Sequence, residues 1–279
     1  MNILFTCIGR RVSLLRTFQK AAKSLKIKVR FMGTDTTELS AALNLCDKGF
    51  VVKPTKHKSY LSELMTIVRQ NNIKLLVPTV DLDLKLLANK KNEFEKIGCI
   101  VMVSNKKVVD ICQDKRKTYR FLTKNNFDTP YTISVRSVLS KSKNAWPCFI
   151  KPWDGYASRG AAKVNNRKEL LFYSRRIPNP ICQEFISGNE FTCDVYVDFD
   201  MNVRCVVPRK RIEVRAGEVS KGQIIKDVKI MNQCAELVKT LGAGPGVITI
   251  QLILSKKGEI KFIEINPRFG GGVPLSIKG

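Results

Sequence analysis

The residues best suited to chemistry lie near the C-terminus, in Glu259-Ile260-Lys261-Phe262-Ile263-Glu264-Ile265-Asn266-Pro267-Arg268-Phe269-Gly270-Gly271-Gly272. A strand of period two sends Ile263 and Ile265 to one face and Phe262, Glu264, Asn266 and Arg268 to the other. A carboxylate and a carboxamide two residues apart offer hard oxygen ligands. They suit Mg²⁺, which takes few protein ligands and completes its octahedron with water and substrate phosphates. Arg268 adds a permanent cation, and Pro267 with the glycines ends the strand and lets backbone approach a ligand closely.

A second β-rich run, 246–254, precedes it across Ser255-Lys256-Lys257-Gly258. An even loop pairs Leu254 with Glu259 and Gln251 with Phe262, putting Gln251 on the face of Glu264; an odd loop turns it away. An ordinary hairpin with a polar solvent face is the plain alternative.

Further upstream, the apolar run Trp146-Pro147-Cys148-Phe149-Ile150 ends in Lys151-Pro152. Trp153-Asp154-Gly155-Tyr156-Ala157-Ser158-Arg159-Gly160 follows. A lysine at a strand end before a loop of small residues, whose N–H groups can wrap phosphate oxygens, suits a triphosphate. It is not the G-x-x-x-x-G-K-[ST] pattern. Lys115 sits in Asp114-Lys115-Arg116-Lys117, Glu184 and Glu190 in a strand-turn-strand over 181–197, and Arg209, Lys210 and Arg211 form a cationic cluster suited to gripping an anion. Taken singly, these read equally well as a solvated helix end, a charged turn and a protected edge strand.

The elements that must position these residues begin with alternating strands and helices. Strands are expected at 2–8, 28–34, 50–52, 74–78 and 100–103, and helices at 11–25, 41–46, 60–71 and 83–97, with Asp81 as a candidate cap. This alternation predicts a Rossmann-like parallel sheet ending near Ser104. Gly9 stands alone where a dinucleotide fingerprint needs three glycines, so NAD is not expected. Helices starting at Val108 and Thr118 lead into the Lys151 strand; a helix over 227–241, closed by Gly242, leads back to the hairpin.

Composition sets the outer bounds. The chain has 279 residues, 44% hydrophobic and 26% charged, a globular balance without an apolar run long enough to span a bilayer. Nine cysteines without a CxxC pair fit reduced core thiols and a cytoplasmic setting. His57, the only histidine, lies between lysines and reads as a solvated loop. The net charge of +25 attracts polyanions, but the cations are dispersed, so an anionic substrate accounts for it as well as a nucleic-acid footprint does.

In order, Lys115, Lys151-Pro152, the small-residue loop, Glu184 with Glu190, Gln251 and Glu264-x-Asn266-x-Arg268 resemble the ATP-grasp superfamily. The branch is that of the carbamoyl phosphate synthase large subunit and biotin carboxylase. The resemblance implies an α/β fold, with a Rossmann-like pre-ATP-grasp domain at 1–107 followed by an ATP-grasp α+β domain at 108–279. The latter divides into a lid or ATP-binding part at 108–187 and a C-terminal part at 188–279, shortened at its end, where an acceptor-binding or oligomerisation piece is expected to be missing.

It also implies site roles. Gln251, Glu264 and Asn266 would hold Mg²⁺, with Mn²⁺ as a substitute, on ATP phosphates. Lys115, Lys151, Ser158, Arg159, Gly160, Glu184, Phe185, Ile186 and Glu190 would bind ATP, with Lys115 at the α-phosphate, 184–186 at adenine and Glu190 at ribose. Arg268 and Arg211 would act on the acyl phosphate. The loop's Trp153 and Tyr156 depart from the usual Gly/Ser-rich pattern. The implied activity is ATP-dependent activation of a small carboxylate for attack by an amine, without specific nucleic acid or membrane partners and with a homodimer as an option. Phosphorylation of bicarbonate or carbamate, a non-catalytic nucleotide-binding module and a nucleic-acid binder are the alternatives.

Overall fold

The computed structural model describes residues 1–140, 146–155, 160–215 and 218–278. The N-terminal unit runs β1 (Asn2–Thr6), α1 (Val12–Ser24), β2 (Arg30–Asp35), a 3₁₀ turn (Leu43–Leu45), β3 (Lys48–Val51), α2 (Tyr60–Gln70), β4 (Ile73–Pro78), α3 (Leu84–Lys96) and β5 (Ile100–Val101). All neighbours pair in parallel, in the order β3-β2-β1-β4-β5. Both faces are covered. Leu4 of β1 packs with Tyr60, Leu64 and Phe94, whereas its neighbours Ile3 and Phe5 pack with Leu14 and Leu15, as a parallel sheet wrapped by helices requires. The strand order reverses between β1 and β4, so their C-terminal ends open the crevice where such sheets bind ligands. Asp83, not Asp81, is the residue before α3, which leaves the Asp81 side chain available elsewhere.

Next come α4 (Lys106–Cys112) and α5 (Lys115–Lys124), capped by the Asn105 and Asp114 side chains. Lys115 therefore stands in the first turn of a helix, not in a break between helices. Then follow β6 (Thr132–Ser134), α6 (Val135–Ser140), β7 (Cys148–Pro152), β8 (Ala162–Val164), α7 (Arg167–Ser174) and β9 (Pro180–Glu184). The strands form an antiparallel sheet ordered β6-β9-β7-β8.

The remaining elements are β10 (Gly188–Val197), β11 (Val203–Arg215), β12 (Glu218–Ile224), α8 (Val228–Leu241), β13 (Gly246–Ser255), β14 (Ile260–Asn266) and α9 (Val273–Ser276). Their antiparallel sheet has the order β12-β11-β10-β13-β14. α8, capped by Asp227 and ended by Gly242 in the left-handed region, buries Ile230, Cys234 and Leu237 with Val195, Ile250 and Phe262; Val108 and Leu122 join this core. β11 continues unbroken through the Arg209–Arg215 cluster with β12 outside it, so Arg209 is buried rather than set on an exposed edge.

The β13–β14 hairpin departs from the register expected of it. Its tip pairs Leu254 with Ile260 and Leu252 with Phe262, the odd alternative. A bulge between Gln251 and Leu252 then absorbs one residue of β14 and sets Gln251 opposite Glu264. A bulge offsets one register against another by a single residue, which here reverses the facing of everything beyond it. Phe262 and Ile265 consequently share the core, not opposite faces, while Ile263 and Glu264 both border the cleft beside it.

The N-terminal unit docks through the glycine turn after β14. Phe269 and Val273 enter the core of Phe5 and Leu14, with Phe18 and Phe269 edge to face at 5.7 Å.

Candidate active site

One cleft lies between the β6–β9 sheet and the β10–β14 sheet. It has a volume of about 190 Å³, with Phe149, Phe185 and Ile186 facing Leu252, Ile253 and Ile263. Two apolar walls this close accept a planar ring system, while polar groups at the ends orient it. Glu184, Glu190, Lys115, Lys151, Gln251 and Glu264 supply those groups. Glu184 is fixed against Tyr131, whose N–H it accepts at 3.2 Å, and Lys163 lies over the Phe185 ring. Glu190 pairs with Arg211 at 3.3 Å.

The phosphate-type end is strongly cationic. Lys115 Nζ donates to the Gly155 carbonyl and lies 3.7 Å from Glu264 Oε2, and its backbone N–H donates to the Trp153 carbonyl at 3.0 Å. Arg116 stacks over the Trp153 ring at 3.9 Å. Trp153, unusual in such a loop, thus anchors the start of the loop to α5. Lys151 is only 6% exposed. Burial pushes its ammonium down to about 8, with Glu264 opposing and the like charge of Lys115 adding to the shift. Gly160 has a left-handed φ of 69°. Ser158 and Arg159 lie outside the described residues.

Glu264 stands directly opposite Gln251, with Asn266 one strand step pair further on and opposite Thr249. Among the described residues no cluster of three His, Cys, Asp or Glu side chains exists that could hold a metal alone. One carboxylate plus carboxamide oxygens is a weak cage by itself. It fits a small hard cation that brings phosphate oxygens as further ligands, and so fits Mg²⁺ carried by a nucleotide.

A second cavity, of about 500 Å³, opens on the other side of this point, at the crevice between the ends of β1 and β4. The two cavities share Arg211, Gln251 and Glu264. Arg211 donates to Thr192 Oγ1 at 3.2 Å, and burial holds its guanidinium below the usual arginine range. Arg268 reaches across to Asp81, donating through Nε and Nη2 at 3.1 and 2.7 Å. Arg209, its side chain 2% exposed, donates to Asp194 Oδ2 at 3.0 and 2.8 Å. Asp194 also accepts from Ser276 and Thr249 at 2.6 and 2.9 Å. The glycine turn packs on this network, since a Cβ on Gly270 would strike Thr249 and one on Gly272 the Arg209 guanidinium. Close approach by the protein's own side chains is therefore one reason for those glycines.

Residues 112–272 match the family "ATP-grasp domain". The chain belongs to the ATP-grasp family. Residues 3–102 of this ATP-grasp protein match the family "PylC-like, N-terminal domain". It is 26% identical over 167 residues to a carbamoyl-phosphate synthase of Methanobrevibacter smithii, covering 58% of the chain and 44% of that protein. It therefore spans less than half the length of that relative. It is 24% identical over 254 residues to a D-alanine–D-alanine ligase of Fusobacterium nucleatum, covering 85% of the chain and 86% of the ligase. In fold it is similar to the L-amino acid ligase from Bacillus licheniformis, with a TM-score of 0.75 at 19% identity over 98% of the chain and 68% of that structure. Biotin carboxylase from Campylobacter jejuni gives 0.74 at 16% over 96% and 65%.

Sequence patterns single out Lys115, Lys151, Gly160, Glu184, Phe185, Ile186, Glu190, Arg211, Gln251, Glu264, Asn266 and Arg268; all but Gly160 line one or both cavities, and Gly160 directly precedes the lining residue Ala161 in the chain. They overlook Asp194, Thr192, Thr249 and the wall residue Leu252. The alternation of Thr192 with Asp194 on one strand and Thr249 with Gln251 on another was the available signal, but it becomes meaningful only once β10 is known to pair with β13, Thr192 opposite Gln251 and Asp194 opposite Thr249.

Proposed function

We propose that this ATP-grasp protein is an ATP- and Mg²⁺-dependent ligase that activates a small organic carboxylate as an acyl phosphate for attack by an amine. The observation that supports this reading is the junction of the two cavities at Arg211, Gln251 and Glu264. A nucleotide lying in the narrow cleft would present its terminal phosphate there to a carboxylate in the wide one. In the indicated chemistry the carboxylate oxygen attacks the γ-phosphorus, ADP leaves, and the amine then displaces phosphate from the acyl phosphate to form the C–N bond. Bound Mg²⁺ would neutralise phosphate charge and orient the triphosphate. Lys115 and Lys151 would hold phosphate oxygens, and Arg211 would face charge developing on the transferred group. Positioning and fixed charge are the main means of catalysing phosphoryl transfer. Arg268, in its pairing with Asp81, acts through the position of the glycine turn and stands ready to meet an anion if that pair opens.

Phosphorylation of bicarbonate is the reading suggested by the carbamoyl-phosphate synthase relative. A 500 Å³ cavity favours a larger organic acid over so small an anion. Nine unpaired thiols, six of them buried, favour a reducing compartment such as the cytoplasm, and no helix among the described residues is long and apolar enough to cross a membrane. Incubation of the purified protein with Mg·ATP and a matrix of acids and amines should release ADP and phosphate only with a cognate pair, with the condensed product seen by mass spectrometry. ATP binding without turnover across a broad matrix would return it to a nucleotide-binding module.

A further inference from the structure

Resting on the reading of the cavity junction as the point of phosphoryl transfer, we infer that Asp81 is a positioning residue, which aims Arg268 at the phosphoryl group passing from nucleotide to carboxylate. The two side chains come from different units. Asp81 stands on the turn after β4 of the Rossmann-like unit, and Arg268 follows β14 of the ATP-grasp unit. Arg268 donates to Asp81 Oδ2 through Nε at 3.1 Å and Nη2 at 2.7 Å. Asp81 thus takes one edge of the guanidinium fork, while Nη1 makes a long 3.4 Å contact with the Phe269 carbonyl. A planar fork held along one edge keeps its plane and still presents N–H groups along the other. The pair therefore need not open for Arg268 to meet an anion in the wide cavity, which both residues border.

Both ends of the pair are mounted on fixed backbone. The Thr79 hydroxyl donates to the Thr6 and Cys7 carbonyls at 3.0 and 2.8 Å, tying the end of β4 to the end of β1. The Asp81 carbonyl accepts from Gln113 Nε2 at 2.6 Å, which ties the same turn to the end of α4, next to Lys115. On the other side the Arg268 N–H donates to the Asn266 carbonyl at 2.8 Å, and its carbonyl accepts from Thr249 Oγ1 at 3.2 Å. The point of transfer is close by. A third cavity, of about 530 Å³, is bordered by Asp81 together with Lys115, Glu264 and Asn266, and the charges of Asp81 and Glu264 both add to the burial that pushes the Cys112 thiol up. Charge stabilises a transferring phosphoryl group best when it is fixed in place beforehand, because no reorganisation is then needed during the reaction. A long arginine side chain reaches that state when a second group locks its rotamer, and here that group belongs to the other unit. Docking of the Rossmann-like unit thus sets the cation in place.

The test is calorimetry on the full chain in saturating Mg²⁺ with ADP and with adenylyl imidodiphosphate, a non-hydrolysable ATP analogue. The ratio of the two affinities reads recognition of the terminal phosphate. A general loss of stability would weaken both nucleotides alike and leave that ratio unmoved. Arg268→Gln should lower the preference for the analogue about tenfold, the scale of a charged hydrogen bond. Asp81→Ala should lower it at least about threefold, and the double variant should lose no more than Arg268→Gln alone, since the two act as a unit. Asp81→Asn, which keeps an oxygen acceptor on a side chain of the same size, should fall between the parent and the alanine variant, and it carries the test if the alanine variant fails to fold. A preference that the Asp81 variants leave unchanged or raise overturns the inference, as does one that Arg268→Gln leaves unchanged. Nucleotide binding with such an unmoved ratio would leave the ligase reading standing, whereas failure of the unaltered protein to bind either Mg·ADP or the analogue would remove both.

Discussion

Lys151 is a cation held in a place that penalises its charge. Below about pH 8 it is protonated in both the folded and the unfolded chain; between about 8 and its ordinary 10.5 only the unfolded chain keeps the proton. The unfolded state then binds more protons, so this group makes stability rise with pH across that window. Nucleotide binding runs the other way, because phosphate needs the ammonium. Mg·ATP affinity of the unaltered protein should fall as pH rises through about 8, and Lys151→Met should weaken binding near neutrality and abolish the pH slope of both affinity and melting temperature. A slope unchanged in the variant would assign it to another group. Glu264→Ala should lower Mg²⁺-dependent turnover by more than about a hundredfold, beyond what loss of an outer-shell partner causes, while calorimetry without metal still detects nucleotide. These two side chains are legible in the sequence as types and spacings. Their mutual influence, with Glu264 opposing the downward shift of Lys151, is not.

At the scale of elements, the β13–β14 hairpin and the glycine turn carry the design. Asp194 on β10 and Arg209 on β11 form a buried pair beneath the turn, with Thr249 and Ser276 satisfying the remaining acceptor sites. Removing one member leaves the other buried and uncompensated. Asp194→Ala should therefore cost roughly 3–5 kcal/mol, read as a lower urea midpoint at unchanged m-value. Gly272→Ala should cost about 1–3 kcal/mol by driving a methyl into the Arg209 guanidinium. An alanine variant as stable as the parent would show that the turn can shift at no cost. The hairpin was foreseeable from two β-rich runs, but its bulge was not. Period-two reasoning assigns Phe262 to the face of Glu264, and tertiary packing overrides it because Phe262 and Ile265 both find the core beneath α8.

On the scale of the whole molecule, the Rossmann-like unit and the ATP-grasp unit share a core and a partly buried ion pair, Arg268 with Asp81. The wide cavity exists only because they are docked, since its walls come from both. The net charge of +25 belongs to this scale too. At about 150 mM salt the screening length is roughly 8 Å, so dispersed surface cations act weakly on a polyanion while the enclosed site does not lose its field. Mg·ATP should raise the melting temperature more than an oligonucleotide does at equal concentration, and oligonucleotide binding should fall steeply with salt through counterion release. Oligonucleotide binding that persists at that salt, with a larger thermal shift, would make nucleic acid the primary ligand.

By itself the sequence determined the classes of element and the order of the chemical groups. Alternation of apolar strands with amphipathic helices is a local property, and Lys115, Lys151, Gln251, Glu264, Asn266 and Arg268 stand out because their types and spacings are unusual without reference to anything distant. Only the tertiary structure decided what lies opposite what. Glu264 faces Gln251 through a bulge, Lys115 approaches Glu264 across a helix and a sheet, Arg268 finds Asp81, which lies 187 positions earlier in the chain, and Arg10 and Arg11 come to border the same cavity as Arg211. Each juxtaposition depends on long-range packing of apolar faces, and a hydrophobic core rewards burial without specifying in the local sequence which polar groups its closure brings together.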